Sequence, residues 1–254
     1  MRENQLKQRL QNGEVLLGAF NNINHTAIVE ILALAGIDFV ILDGEHSSLT
    51  PETAETLYIA AERRDLSCVT RIGENTPQRI QKFLDSGANG VLIPLVNSAA
   101  DAQQVVDAVK YTPLGKRGLA ASRVSDWGLN PGGLPAYVEH ANRETFIAVQ
   151  VETEQAIDNI DEINSINEID MIFFGPSDLS TALGIPGQAT HSDVISLIER
   201  LGKRAQEAGK ITGTIARDKA ALDHWKSHGF QFLCTGVNNL LASGIKSFVE
   251  SLNR

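Results

Sequence analysis

Along this chain, apolar β-branched runs give way repeatedly to segments with helical spacing, and that alternation limits the fold more than any other feature. The runs are Val15–Phe20, Phe39–Asp43, Ser67–Arg71, Gly90–Leu95, Phe146–Val151, Met171–Phe174, Ile211–Ile215 and Phe230–Thr235. Strands that alternate with helices require right-handed crossovers and a parallel sheet. Eight such units in 254 residues fit a closed (β/α)8 TIM barrel, an α/β fold that often forms one domain of this length. The rival open, doubly wound sheet normally carries Gly-x-Gly-x-x-Gly after its first strand. Here that strand leads into Gly18-Ala19-Phe20-Asn21-Asn22, which lacks the fingerprint. The expectation is a single (β/α)8 barrel domain over residues 1–254.

Helices are expected at His25–Ala35, Pro51–Arg63, Pro77–Ser86, Ala99–Lys110, near Glu154–Ile163, Ser192–Ala208, Lys219–His228 and Asn239–Leu252. Thr50 before Pro51 is an N-cap followed by a proline at the first helical position, and Gly36 and Gly87 close their helices. Tyr111–Glu144 breaks the rhythm with Gly-Leu-Asn-Pro-Gly-Gly-Leu-Pro and reads as a long loop, a kind that is usually functional or disordered.

A net charge of −9 argues against nucleic acid or an anionic membrane as a partner. No apolar run approaches the roughly 20 residues that span a bilayer, and the polar N-terminus lacks the apolar core of a signal peptide. The only cysteines, Cys68 and Cys234, lie in apolar runs and read as buried thiols of a reducing compartment. A cytoplasmic location is expected.

In barrels of this type, chemistry gathers at the C-terminal strand ends. Those ends carry Asp43-Gly44-Glu45-His46, Thr70-Arg71, Gln150-Val151-Glu152 and Gly175-Pro176-Ser177-Asp178. Glu152 and Asp178 end successive strands, so in a parallel sheet they emerge at one end and face each other. Oxygen pairs of this kind suit hard divalent cations, while acids at these positions also simply begin helices. His46 near Asp43 reads as a base held in one tautomer by a carboxylate, or as a surface histidine. Arg71, pointing into a barrel mouth, needs an anion, which is either an internal partner such as Glu45 or a substrate group. The glycine of Gly175-Pro176-Ser177-Asp178 permits close backbone approach, and the amides that follow suit either a carboxylate or an ordinary helix start. No lysine lies at a strand's C-terminal end, which speaks against a Schiff-base mechanism.

Leu42-Asp43-Gly44-Glu45-His46, Arg71, Tyr111-x-Pro113-x-Gly115-x-Arg117-Gly118, Gln150-Val151-Glu152-Thr153 and Gly175-Pro176-Ser177-Asp178-Leu179 occur in that order. Together they resemble the metal-dependent (class II) pyruvate aldolases of the hydroxyheptenedioate and keto-deoxy-sugar-acid aldolase family, from about Val15 to the C-terminus. The resemblance implies reversible cleavage of a 4-hydroxy-2-keto acid to pyruvate and an aldehyde. It implies a divalent cation (Mg²⁺, Mn²⁺ or Co²⁺) on Glu152 and Asp178, His46 as base with Asp43 as its partner, and Arg71 on the keto oxygen. Gln150 would flank the pyruvate pocket, and the backbone at Gly175, Pro176, Ser177 and Asp178 would take the pyruvate carboxylate. The resemblance also implies a C-terminal helix swapped between subunits and a homo-hexamer built as a trimer of dimers. Phe20, Thr112 and the Ser122–Gly133 loop depart from the family pattern and are expected on the aldehyde side or its approaches.

Three alternatives stay open. A CoA-ester lyase needs a basic patch for the nucleotide, and none is evident. A phosphoenolpyruvate-type enzyme needs phosphate-binding cations, for which only Arg71, Arg117 and Arg123 are candidates. A non-catalytic barrel protein has no use for the Asp43–His46 pair.

Overall fold

The computed structural model describes residues 2–252. The strands are β1 (Leu16–Asn21), β2 (Phe39–Asp43), β3 (Ser67–Arg71), β4 (Gly90–Ile93), β5 (Phe146–Val151), β6 (Met171–Phe174), β7 (Ile211–Ile215) and β8 (Phe232–Gly236). Neighbours pair in parallel in chain order, and β8 closes onto β1, giving the expected (β/α)8 barrel. A short helix, α1 (Gln5–Gln11), precedes β1. Around the barrel follow α2 (Thr26–Leu34), α3 (Pro51–Arg63), α4 (Pro77–Ser86), α5 (Ala99–Val109) and α6 (Gly133–Glu144). The second half adds α7 (Glu154–Asp158), α8 (Ile160–Asn164), α9 (Pro176–Ala182), α10 (Ser192–Glu207), α11 (Lys219–Ser227) and α12 (Val237–Glu250).

The two-residue period of each strand divides the apolar side chains between two layers. Phe39, Ile41, Val69, Leu92, Phe146, Ala148, Met171, Phe173 and Phe232 fill the barrel interior. Val40, Leu42, Val91, Ile147, Val149 and Ile172 point outward and pack with the helices. Aromatic rings fit inside the barrel because glycines face them: a Cβ on Gly18 would stand 2.0 Å from the Phe39 ring. Leu6 and Leu10 of α1 join the interior cluster and close the end of the barrel where the strands begin. The open mouth is the other end, where the strands finish.

Three expectations change. β4 stops at Ile93 instead of reaching Leu95, because Pro94 has no N–H to give a ladder and Leu95 turns into the left-handed region (φ 54°). The helix expected at Glu154–Ile163 is two short ones that meet at Asn159. Tyr111–Glu144 is not structureless. It contains a 3-10 turn at Arg123–Gly128 and then α6, which buries Tyr137 and Ala141. The glycines and prolines at its start mask the helical spacing of Tyr137, Val138 and Ala141.

The Ser122–Gly133 loop also lies away from its expected place. Arg123 Nη1 donates to Glu62 Oε1 at 3.0 Å, at the C-terminal end of α3, and the loop shares a cavity with Gly87, Ala88 and Asn89, just before β4. Within the chain it sits at the end opposite the mouth. Among the described residues, no helix is long and apolar enough to cross a membrane.

Candidate active site

One side of the barrel mouth is built by β2 and β3. Their register sets Asp43 directly beside Arg71, both facing inward. Arg71 Nε donates to Asp43 Oδ1 at 2.9 Å and Nη2 to Oδ2 at 2.8 Å, a bidentate pair in which both side chains are buried. Nη1 stands 3.1 Å from Glu45 Oε2, and the guanidinium lies 4.8 Å above the Phe20 ring. Burial alone would raise the Asp43 carboxyl, but the Arg71 hydrogen bonds and charge outweigh it and hold it below the usual range. Burial likewise acts to lower the guanidinium, while Asp43, then Glu45 and Glu152, raise it, so Arg71 stays cationic.

This arrangement corrects the expected Asp43–His46 pair. The Asp43 carboxylate goes to Arg71 and to the backbone N–H groups of Glu45 and His46, which donate to Oδ1 at 3.1 and 3.2 Å. A buried guanidinium is costly without a partner, and Asp43 is its neighbour in register. The His46 ring instead has Nε2 3.6 Å from Glu45 Oε2, and 65% of its side chain is exposed at the mouth.

The other side is built by β5 and β6. Glu152 follows β5 and is buried; its Oε1 accepts the Leu95 N–H at 2.9 Å and its Oε2 a hydrogen bond from Gln150 Nε2. Leu95, which donates that N–H, sits in the left-handed region just after Pro94. Asp178 lies exposed in the first turn of α9. The two acids converge over Gly175, where a Cβ would stand 3.2 Å from Glu152 Oε2 and 3.3 Å from Asp178 Oδ2. Among the described residues, neither acid has an ion-pair partner within 4 Å.

Burial, then the Asp178 charge and more weakly Glu45, push Glu152 up to about 7. Two close carboxylates, one of them desolvated, resist joint ionisation until a cation joins them. The donor set is all oxygen, and the missing side chain at Gly175 leaves a cradle between the two carboxylates. These residues fit a hard divalent cation.

Between the two sides lies a cavity of about 360 Å³, lined among others by Phe20, His46, Arg71, Gln150, Ser177 and Asp178. Its size is that of a small-molecule pocket. Gln150 is buried, and its Oε1 has no hydrogen-bond partner. Glu152 opens onto a neighbouring cavity that Asp178 also lines, so Asp178 stands between the two. The residues singled out from the sequence thus gather at one mouth. No lysine lines the cavity. The buried Lys110 and Lys210 donate to the backbone carbonyls of Thr145 and Ile169, at the far end of the barrel.

Sequence reasoning overlooked Arg217, which is exposed two residues beyond β7, lines the cavity and has no described ion-pair partner. Scanning the end of the seventh strand for charge, as was done for its neighbours, finds it. Asn238 and Asn239 at the start of α12 also line the cavity. The Leu95 amide carries no sequence signal at all.

The model of the HpcH/HpaI aldolase/citrate lyase family matches residues 16–243. The chain is similar to the 2-keto-3-deoxy-L-rhamnonate aldolase of Escherichia coli (strain K12), with 37% identity over 245 residues, 94% of this chain and 89% of that protein. Its structure is similar to that of an HpcH/HpaI aldolase from Desulfitobacterium hafniense DCB-2, with TM-score 0.92 and 33% identity over 100% of this chain and 98% of the other. The citrate synthase SbnG aligns with TM-score 0.85 and 29% identity, over 98% of this chain and 99% of its own.

Proposed function

From a chain that belongs to the HpcH/HpaI aldolase/citrate lyase family, we infer a class II pyruvate aldolase, a carbon–carbon lyase. The reaction is reversible aldol cleavage of a 4-hydroxy-2-keto acid to pyruvate and an aldehyde. The observation that carries the assignment of roles is the shared mouth. A cation fixed by its own carboxylates stands on one side, and an uncompensated carboxylate pair stands on the other.

Glu152 and Asp178 would hold the divalent cation, with Gly175 leaving the room. When bound, that ion supplies Lewis-acid stabilisation of charge developing on the keto oxygen. Mg²⁺ and Mn²⁺ suit the oxygen donors best, with Co²⁺ also to be tried. Arg71 points its guanidinium at the same oxygen, and Asp43 fixes its plane so that little reorganisation is needed during the reaction. The Gln150 amide and the first-turn amides of Ser177 and Asp178 orient the pyruvate carboxylate, beside Gly175 and Pro176. His46, at the open rim, takes the proton from the C4 hydroxyl at Nε2, with Glu45 beside that atom.

Arg217, Asn22, Asn238 and Asn239 make the outer wall polar. That wall suits a hydroxylated short-chain aldehyde, and the name of the Escherichia coli relative makes a 2-keto-3-deoxy sugar acid the first substrate to try. For assembly, α12 buries only Val237 and leaves Leu240, Leu241, Ile245 and Phe248 exposed. Such an apolar face supports exchange of this helix within a homo-hexamer built as a trimer of dimers. Buried free Cys68 and Cys234 fit a reducing, cytoplasmic setting.

The test is pyruvate release from 2-keto-3-deoxy sugar acids, before and after exhaustive chelation and then with Mg²⁺, Mn²⁺ or Co²⁺ restored. Pyruvate release that depends on the added ion is expected. Undiminished turnover after chelation would remove the metal from the account.

A further inference from the structure

Away from the mouth, on the outer helical layer, α10 and α11 bring three ligand-type side chains together. Glu199 of α10 faces His224 of α11 and His228 just beyond it, and one ligand atom from each lies within 4.8 Å of the others. His224 and His228 are four residues apart on one helical face, the spacing by which a helix presents two imidazoles to one ion.

The orientation of the rings carries more weight than their proximity. His228 Nδ1 lies 2.9 Å from the His224 backbone carbonyl. A carbonyl only accepts, so Nδ1 bears the hydrogen, and in the neutral ring the lone pair sits on Nε2. That Nε2 faces Glu199 Oε1 at 3.6 Å, beyond hydrogen-bond range. A backbone carbonyl that fixes the tautomer behind a ligating nitrogen is the usual support of a metal-bound histidine.

His224 Nε2 is shielded from solvent and lies 2.9 Å from the same Oε1, yet it is aligned for no hydrogen bond. The two groups aim past each other. Ligands of one ion do this because each points at the ion, and at bond lengths of 2.0–2.2 Å around a tetrahedral centre they stand about 3.4 Å apart. The observed 2.9 and 3.6 Å bracket that separation. Glu199 and His224 are half-buried and His228 is exposed, so an ion has a path to the cluster from the side of His228.

We propose that Glu199, His224 and His228 form a second metal site, for a borderline transition-metal ion such as Zn²⁺, Ni²⁺ or Co²⁺. It is distinct in place and chemistry from the all-oxygen pair at the mouth. Imidazole nitrogen selects these ions over Mg²⁺ and Mn²⁺. The ion pins α10 to α11, the helix that follows β7 and Arg217, so it is a staple on the element behind one wall of the mouth. The proposal does not depend on the aldolase reading.

The test is titration of the metal-stripped full-length protein with Zn²⁺ by calorimetry, in excess Mg²⁺ to occupy oxygen sites. Co²⁺ follows in parallel, by its visible spectrum and the histidine-ring resonances. One Zn²⁺ per chain is expected, both in the wild type and in Glu152→Gln. It should bind at least about 100-fold more weakly in His224→Gln/His228→Gln and more than about 10-fold more weakly in Glu199→Gln. Co²⁺ should perturb two histidine rings. If circular dichroism shows the double variant unfolded, Glu199→Gln and the Co²⁺ resonances decide. Zn²⁺ uptake that these substitutions leave unchanged, or no uptake by the wild type, would overturn the proposal.

Discussion

On the β2–β3 side of the mouth, Asp43 and Glu45 lean on Arg71; on the β5–β6 side, Glu152 and Asp178 face each other with no cationic side chain within 4 Å among the described residues. Both sides bury carboxylate, and they shift in opposite directions. Asp43 is held below the usual range by Arg71, whereas Glu152 is pushed up to about 7 by burial and then by Asp178. The first side is complete within the chain and presents a fixed cation. The second lacks a positive charge, and what it fits is an ion from outside.

The largest expected effect lies on the incomplete side. Asp178→Asn or Glu152→Gln should lower pyruvate release by on the order of 10³-fold, since Lewis-acid stabilisation supplies several kcal/mol. Metal-titrated steady-state kinetics check this, and near-normal turnover at every metal concentration would erase the distinction between the sides. Arg71→Ala comes next, at about 10²–10³-fold in kcat. Arg71→Lys should not restore it, because an ammonium cannot reproduce the two parallel bonds to Asp43. On stability, Asp43→Ala leaves the guanidinium buried without its main partner, and denaturant unfolding should register a loss of about 3–5 kcal/mol.

The opposite shifts also predict opposite pH behaviour. The Glu152 carboxyl is raised from its ordinary value, so between about pH 4.5 and about 7 the folded, metal-free chain binds more protons than the unfolded one. Its contribution to stability is present at low pH and falls as pH rises through that window. Melting temperatures in chelator should therefore show a downward slope that Glu152→Gln removes. Divalent-metal affinity should climb over the same window, because the ion displaces the proton. The smallest effect belongs to Arg217→Ala. Loss of one exposed charged contact should raise KM for the aldehyde by about 3–10-fold and spare kcat with respect to pyruvate. An unchanged KM across an aldehyde panel would take Arg217 out of the acceptor site.

Much of this was legible in the sequence because the period of the strands is rigid. Phe39–Asp43, Ser67–Arg71, Phe146–Val151, Met171–Phe174 and Ile211–Ile215 end where the apolar runs end, so the acids and the arginine that follow fall at one mouth. Pairing was harder to read. Asp43 is three residues from His46 in sequence, but register places it beside Arg71, and only the closed sheet reveals that neighbour. Backbone donors such as the Leu95 amide leave no trace in residue type. The Ser122–Gly133 loop was misplaced because a turn-rich composition says nothing about which end of a barrel a segment covers. Its ion-pair partner Glu62 and the Gly87–Asn89 segment that shares its cavity belong to the far end.

The central claim is that Glu152 and Asp178 form a cation site whose charge none of the described residues supplies. Mn²⁺ binding to the metal-stripped protein, counted by electron paramagnetic resonance, tests it most directly. The account predicts one Mn²⁺ per chain in the wild type, lost in Glu152→Gln and retained in His224→Gln/His228→Gln. Equal Mn²⁺ binding by the wild type and Glu152→Gln would contradict it.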